Sequence, residues 1–104
     1  MAYDYSQDRA DLAAEIKEHG ALMWIRRGGA DYPFYGIRRD VLAREADGAT
    51  VKITDQAVLA PAEGLEITPT TTDKLVDGAV WTVVKVSPIK PGPVVLGYTL
   101  FVRK

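Results

Sequence analysis

Before residue 20 the apolar positions of this chain fall three and four apart; from residue 21 onward they alternate. A period near 3.6 lines one face of a helix and a period of two lines one face of a strand, so the change marks a helix followed by strands. The spacing predicts a helix over 7–19. Leu12 and Ile16 make a narrow stripe with Ala13 beside them. Ser6 is the expected N-cap, Asp8 and Asp11 sit near the positive end of the dipole, and Gly20 is the expected C′ residue. A helix this short is marginal alone in water, so its stripe must dock on something.

Over 21–27, Leu22, Trp24 and Arg26 share one face and Met23, Ile25 and Arg27 the other, and Gly28-Gly29 ends the strand. A second strand starts at Tyr32-Pro33-Phe34-Tyr35 and runs toward Leu42, where Pro33 suits a strand start or an edge. Residues 43–56 are polar and weakly patterned; they read as a mobile loop or short hairpin, with Val51 and Ile53 as strand fragments. A short strand over 57–60 stops at Pro61, a further piece lies at 65–67, and 68–72 is a connector. Asp77-Gly78 is a two-residue turn signal joining 74–76 to 79–86. That second segment is apolar on both faces, which predicts a strand covered on each side. Pro88 to Pro93 makes a corner. In the closing strand over 95–103, Tyr98, Leu100 and Val102 point one way and Thr99, Phe101 and Arg103 the other.

Six or so short strands after one helix make the fold class mainly β: a small antiparallel β-barrel or sandwich with an N-terminal helix. A chain of 104 residues is one domain. It divides into an arm over 1–6, the helix over 7–19 and a barrel over 21–104 with a polar loop near 43–56. Trp24 and Trp81 are expected in the core, and no internal repeat is visible.

Composition narrows the chemistry. A net charge of −1 argues against a general polyanion-binding surface, which needs clustered positive charge. The absence of cysteine excludes disulfides, thiolate nucleophiles and zinc–thiolate sites. One histidine excludes multi-histidine metal sites and most histidine-based triads; at the predicted helix end, His19 reads as a cap or surface residue. Gly28-Gly29 lacks the Gly-x-x-x-x-Gly-Lys pattern of a phosphate loop. Hence no enzyme activity, cofactor, metal or small-molecule substrate is expected. No apolar run approaches the length of a membrane span and no secretory signal opens the chain, so no membrane partner is expected and synthesis in the host cytoplasm is the default.

The last third carries a distinctive order: Asp73-x-Leu75-x-x-Gly78-x-x-Trp81-x-Val83-x-x-Val86-x-Pro88-Ile89, then Pro91-Gly92-Pro93, then Gly97-Tyr98-x-Leu100-x-Val102-Arg103. This resembles the head–tail joining (head completion, tail attachment) proteins of long-tailed phages and prophages. Trp24-Ile25-Arg26-Arg27 stands where that family has its first strand and Tyr35-Gly36-Ile37 where its second begins. The loop after Arg27 is shorter than in many relatives, which puts in doubt any contact that loop makes in them. The resemblance implies a structural part of the virion neck, not an enzyme. Its partners would be portal-side head proteins and tail proteins. It would form a homo-oligomeric ring on the particle, and a monomer in solution is compatible with that.

Candidate contacts follow. Arg26, Arg27, Arg38, Arg39 and Arg44 form the densest positive region. They read as solvated strand ends, as a contact for an acidic neighbour in a ring, or as a contact to DNA in the channel. Tyr3 and Tyr5 read as a disordered tail, a staple onto the barrel, or an arm reaching a neighbouring subunit. Phe101 is either covered by the helix or an exposed apolar anchor. Residues 1–6 and 43–56 are the segments expected to order on binding. The alternative function is a nucleic-acid-binding small barrel, which requires the arginines to converge with Tyr32, Phe34 and Tyr35.

Overall fold

Residues 5–104 are described by a computed structural model. Helix α1 (Ser6–His19) precedes β1 (Ala21–Arg27), β2 (Ala30–Asp40), a single 3₁₀ turn η1 (Ala43–Glu45), β3 (Gln56–Pro61), β4 (Lys74–Val76), β5 (Val80–Ile89) and β6 (Gly97–Arg103). All pairings are antiparallel, and the strands close into a barrel in the order β1-β2-β3-β6-β5-β4. Closure decides between the two expected architectures in favour of the barrel, which leaves no sheet with two long open edges. Alternate residues point inward as the period of two requires. Met23, Ile25, Phe34, Val58, Leu75, Trp81, Val83, Leu100 and Val102 form one core.

The helix docks as its stripe demands, with Ile16 only 1% exposed and α1 lying against β2, β3 and β6. Its ends differ from expectation. Ser6 is the first helical residue, one place inside the cap position held by Tyr5. Gly20 has extended rather than left-handed backbone, with φ −97°. Close approach is what requires glycine there: a Cβ on Gly20 would lie 2.5 Å from the Gly36 carbonyl oxygen and 2.6 Å from that of Ile16.

Strand β2 serves two neighbours. It begins at Ala30, earlier than the sequence pattern indicates, and pairs with β1 from Ala30 to Gly36 and with β3 from Ile37 to Asp40. The strand passes from one partner to the other at Gly36, where a side chain would meet Met23 Sδ and Phe34 Cε2 at 2.9 Å. The first half of β2 therefore has a strand on one side only. Pro33 lies in that half, as suits an edge.

Strand β5 switches faces. Val83 is opposite Val102 and Lys85 is opposite Phe101, so Val84 is the extra residue of a β-bulge. Trp81 and Val83 face the core before the bulge and Val86 packs on it afterwards, while Val84 turns outward to a second cluster of Val41, Val51, Ala57 and Phe101. The bulge explains why this strand reads as apolar on both faces. It extends through Pro88 to Ile89, and β6 begins at Gly97 rather than at residue 95.

Five readings are corrected. The 43–56 segment is a packed loop rather than a mobile one: Val51 is fully buried, and Asp47 Oδ1 accepts from the backbone N–H of Ala49, Thr50 and Val51. Phe101, 4% exposed, is covered by this loop and not by the helix, so it is no exposed anchor. Trp24 is half-buried on the outer face of β1, leaving Trp81 as the core tryptophan. The turn after β4 holds three residues, since Val76 pairs with Val80, and Gly78 takes φ +68° there. Residues 65–67 form no strand, yet Leu65 and Ile67 pack against the core.

Phe101→Ala is expected to lower the unfolding free energy by about 3–5 kcal/mol, as for a buried aromatic. The readout is the denaturant midpoint; a change within about 0.5 kcal/mol would place Phe101 at the surface instead.

Candidate functional site

Four of the five candidate arginines are already engaged by carboxylates. Arg26 donates from Nε and Nη2 to Asp31 at 2.8 and 3.0 Å across the β1–β2 hairpin. Arg27 donates to both Asp73 oxygens at 2.7 and 2.8 Å. Arg38 donates to Asp77 at 2.9 Å and lies over the Trp81 ring, 5.0 Å from its centroid. Arg39 makes a two-pronged pair with Glu45 at 2.7 and 2.8 Å. Arg44 is exposed on η1 and contributes to the field at Glu45. The Glu45 carboxyl is held down at about 2, first by its hydrogen bonds from Arg39 and then by the Leu42 N–H and the charges of Arg39 and Arg44.

Arg38 and Arg39 do not converge with Tyr32, Phe34 and Tyr35 as the nucleic-acid reading requires. Arg38 and Arg39 occupy the half of β2 paired with β3, whereas Tyr32, Phe34 and Tyr35 occupy the half paired with β1. Phe34 is in the core. Tyr5 is half-buried against the Pro-Gly-Pro corner, where a Cβ on Gly92 would run into its ring. Of the readings given to the N-terminal tyrosines, the staple describes Tyr5; Tyr3 lies outside the described residues.

Arg27 belongs to a local motif that occurs twice. Asp73 also accepts from the Thr70 N–H at 2.9 Å, and Arg27 Nη2 donates to the Thr68 carbonyl at 2.8 Å. In the same way Arg103 donates to both oxygens of Asp55 at 2.8 Å, Asp55 accepts from the Lys52 N–H at 2.8 Å, and Arg103 Nη2 donates to the Thr50 carbonyl at 3.3 Å. The spacings are identical, carbonyl at minus five and N–H at minus three. The underlying sequences are Thr50-Val-Lys-Ile-Thr-Asp55 and Thr68-Pro-Thr-Thr-Thr-Asp73. This repeat was available in the sequence as Thr-x-x-x-Thr-Asp, but only the matching arginines reveal its purpose. Each aspartate leads into a strand, and each arginine ends the strand beside it. Both carboxyls lie below the ordinary carboxylate range, first because of the hydrogen bonds from their arginines.

A second feature escaped sequence reasoning. Pro33, Trp24, Val76 and Val80 lie side by side across β2, β1, β4 and β5. They face outward, because Trp24 sits between the inward-facing Met23 and Ile25. Leu22 and Tyr35 form the adjoining pair, and Val80, Leu22 and Tyr35 are 52%, 44% and 37% exposed. The strip runs into an apolar groove of about 480 Å³ between the Ala13–Ala14 face of α1, the free half-edge of β2 and the 61–65 loop. Its signal in the sequence is the run of large apolar residues on the face of β1 that also carries Arg26. Among the described residues no three His, Cys, Asp or Glu side chains gather as a metal site.

The paired aspartates set an acid limit. Their folded-state pKa values are depressed, so their contribution is present above the ordinary carboxylate range and is lost as pH falls through the folded values. Stability measured by thermal melts should therefore be flat from about pH 7 to 5 and fall below about pH 4. Asp73→Asn and Asp55→Asn should each lower stability by about 1–3 kcal/mol at neutral pH and flatten this acid limb; an unchanged limb in the double variant would show that other carboxylates govern it.

Comparison of the chain with protein-family models, with curated proteins and with solved structures finds no match.

Proposed function

We propose that this protein is a non-enzymatic structural subunit of a phage virion neck. It joins the DNA-filled head, on its portal side, to the tail by assembling as a ring. The observation that carries this reading is the job done by the residues on which the resemblance rests. Asp73 is clasped by Arg27, Leu75 and Trp81 fill the core, Gly78 turns the chain, and Gly92 receives Tyr5. The signature residues thus serve the build of one barrel, which supports the reading of a docking part of a particle. The place of action is the virion neck, after synthesis in the host cytoplasm, with other neck, portal-side and tail proteins as partners.

A ring closes only through a heterologous interface, in which two different surfaces of one subunit match. The alternative, a nucleic-acid-binding barrel, requires free guanidiniums side by side; Arg26, Arg27, Arg38 and Arg39 are each held by a carboxylate instead. Contact with DNA in the channel is then secondary to contacts between proteins.

Purified protein mixed with DNA-filled heads and free tails from a mutant lacking this gene should raise the count of infectious particles in a dose-dependent way. No gain with folded protein would remove the joining role. Salt-dependent DNA binding that disappears in Arg38→Ala/Arg39→Ala would then favour the alternative.

A further inference from the structure

Strand β2 is longer than either neighbour it pairs with. The two-residue hairpin closes on Arg27 opposite Ala30, so Ala30, Tyr32, Phe34 and Gly36 turn their backbone N–H and C=O groups to β1. Alternation sends the groups of Asp31, Pro33 and Tyr35 to the opposite side. From Ile37 onward that side belongs to β3, and the β2–β3 ladder stops at Ile37 opposite Leu59. The chain after β3 does not follow β2 further: Pro61 pairs with Gly97 of β6, and Leu65 N–H bonds back to the Ala62 carbonyl in a turn. The β2 edge from Asp31 to Tyr35, about 13 Å at about 3.3 Å per residue, is left without a neighbouring strand.

The space beside this edge is the apolar groove of about 480 Å³. Phe34 and Leu65, which belong to the core packing, line it, and the small side chains of Ala13 and Ala14 leave room on the helix side. Two charged side chains reach it. Glu63 is paired with Arg9, whereas Lys17 is in no ion pair among the described residues and lies over the Tyr35 ring, 5.7 Å from its centroid. The unneutralised charge lining the groove is therefore positive. Pro33, midway along the edge, offers a carbonyl and no N–H. A second β2 edge laid antiparallel about the same residue would set two carbonyls face to face with no donor between them, which disfavours a second copy as the occupant.

We propose that this edge accepts an extended segment of a partner protein as an added strand, lying in the groove in line with β3. The segment's backbone pairs with the edge groups from Asp31 to Tyr35, an apolar side chain fills the space against Phe34 and Leu65, and a carboxylate side chain meets Lys17. The backbone groups select an extended peptide, because a compact apolar ligand offers no donors and acceptors at strand spacing. The apolar groove and Lys17 then select its sequence. Only about five residues become ordered and little area is buried, so an isolated segment binds with Kd between about 10 µM and 1 mM. The site goes beyond the neck reading and holds for whichever assembly the partner belongs to.

The test is an NMR titration of the full isotope-labelled chain with a synthetic peptide, acetylated and amidated, of sequence Val-Thr-Val-Glu-Val-Thr-Val. The Asp31 amide should shift, and near saturation its exchange with solvent should slow by about tenfold or more. The same peptide with every backbone nitrogen methylated should not bind. Lys17→Glu, at an exposed position, should keep the folded spectrum and weaken the peptide about fivefold, and a peptide with lysine in place of glutamate should restore binding to this variant. No shift at about 1 mM peptide, equal binding of the methylated peptide, or unchanged binding to Lys17→Glu would each overturn the proposal. Protection of the Asp31 amide that rises with protein concentration in the absence of peptide would overturn it as well, by placing a second copy on the edge.

Discussion

Asp73 and Asp55 are carboxylates removed from water, with 0% and 3% exposure. A buried charge is tolerated only when it is paired and its lone pairs are filled, and here a two-pronged guanidinium and a backbone N–H fill them. In each case the arginine stands one step beyond the last paired residues of the ladder, opposite the aspartate that immediately precedes the neighbouring strand. The β1–β4 and β6–β3 pairs occupy opposite positions in the closed order, so two equivalent clasps hold the barrel half a turn apart. Ion pairs with one buried member add little net stability compared with apolar packing, but separating the partners leaves a buried carboxylate uncompensated. That fits their place here. Strand β4 has only three residues, too few for its ladder to fix its own alignment, and Arg27 gripping Asp73 supplies what length does not.

Long connections are treated in the same way throughout. The segment between β2 and β3 is fixed at Asp47, Val51 and Asp55, and it lies over the outward faces of three strands. The bulge at Val84 makes this cover possible, because it turns one more apolar side chain outward to meet the loop. The connection between β3 and β4 packs through Leu65 and Ile67 and ends in the second clasp. Polar sequence in these connections serves to anchor backbone, and little of it is left as mobile chain.

The consequence is a small body whose arginines are mostly engaged by its own carboxylates. Six arginine–carboxylate pairs neutralise much of the surface that looks basic in the sequence. What remains for other molecules is of a different kind: an apolar outer strip, the groove beside it, and an acidic helix face. Such surfaces suit contact with proteins better than contact with phosphate, which needs unneutralised positive charge.

The sequence by itself determined the helix and the main strands, because a helical or alternating period records the type of element and divides it into two faces. Which face is inward was not always legible: Trp24, expected in the core, lies on the outer face of β1. The sequence also determined the turn at Gly78, where left-handed backbone favours glycine. It did not reveal that Gly20 is required by the approach of Gly36, that Val84 is a bulge, or that Phe101 lies beneath a loop rather than a helix. Those facts depend on residues far apart in the chain, and local periodicity holds no information about which distant segment supplies the cover. The arginines show the same division. Their crowding over 26–44 is plain in the sequence, and Arg26 and Arg39 find local partners, but Asp73 and Asp77, which hold Arg27 and Arg38, come from more than thirty residues away. Only the closed strand order brought those charges together, and with them decided which face of the protein is left uncovered.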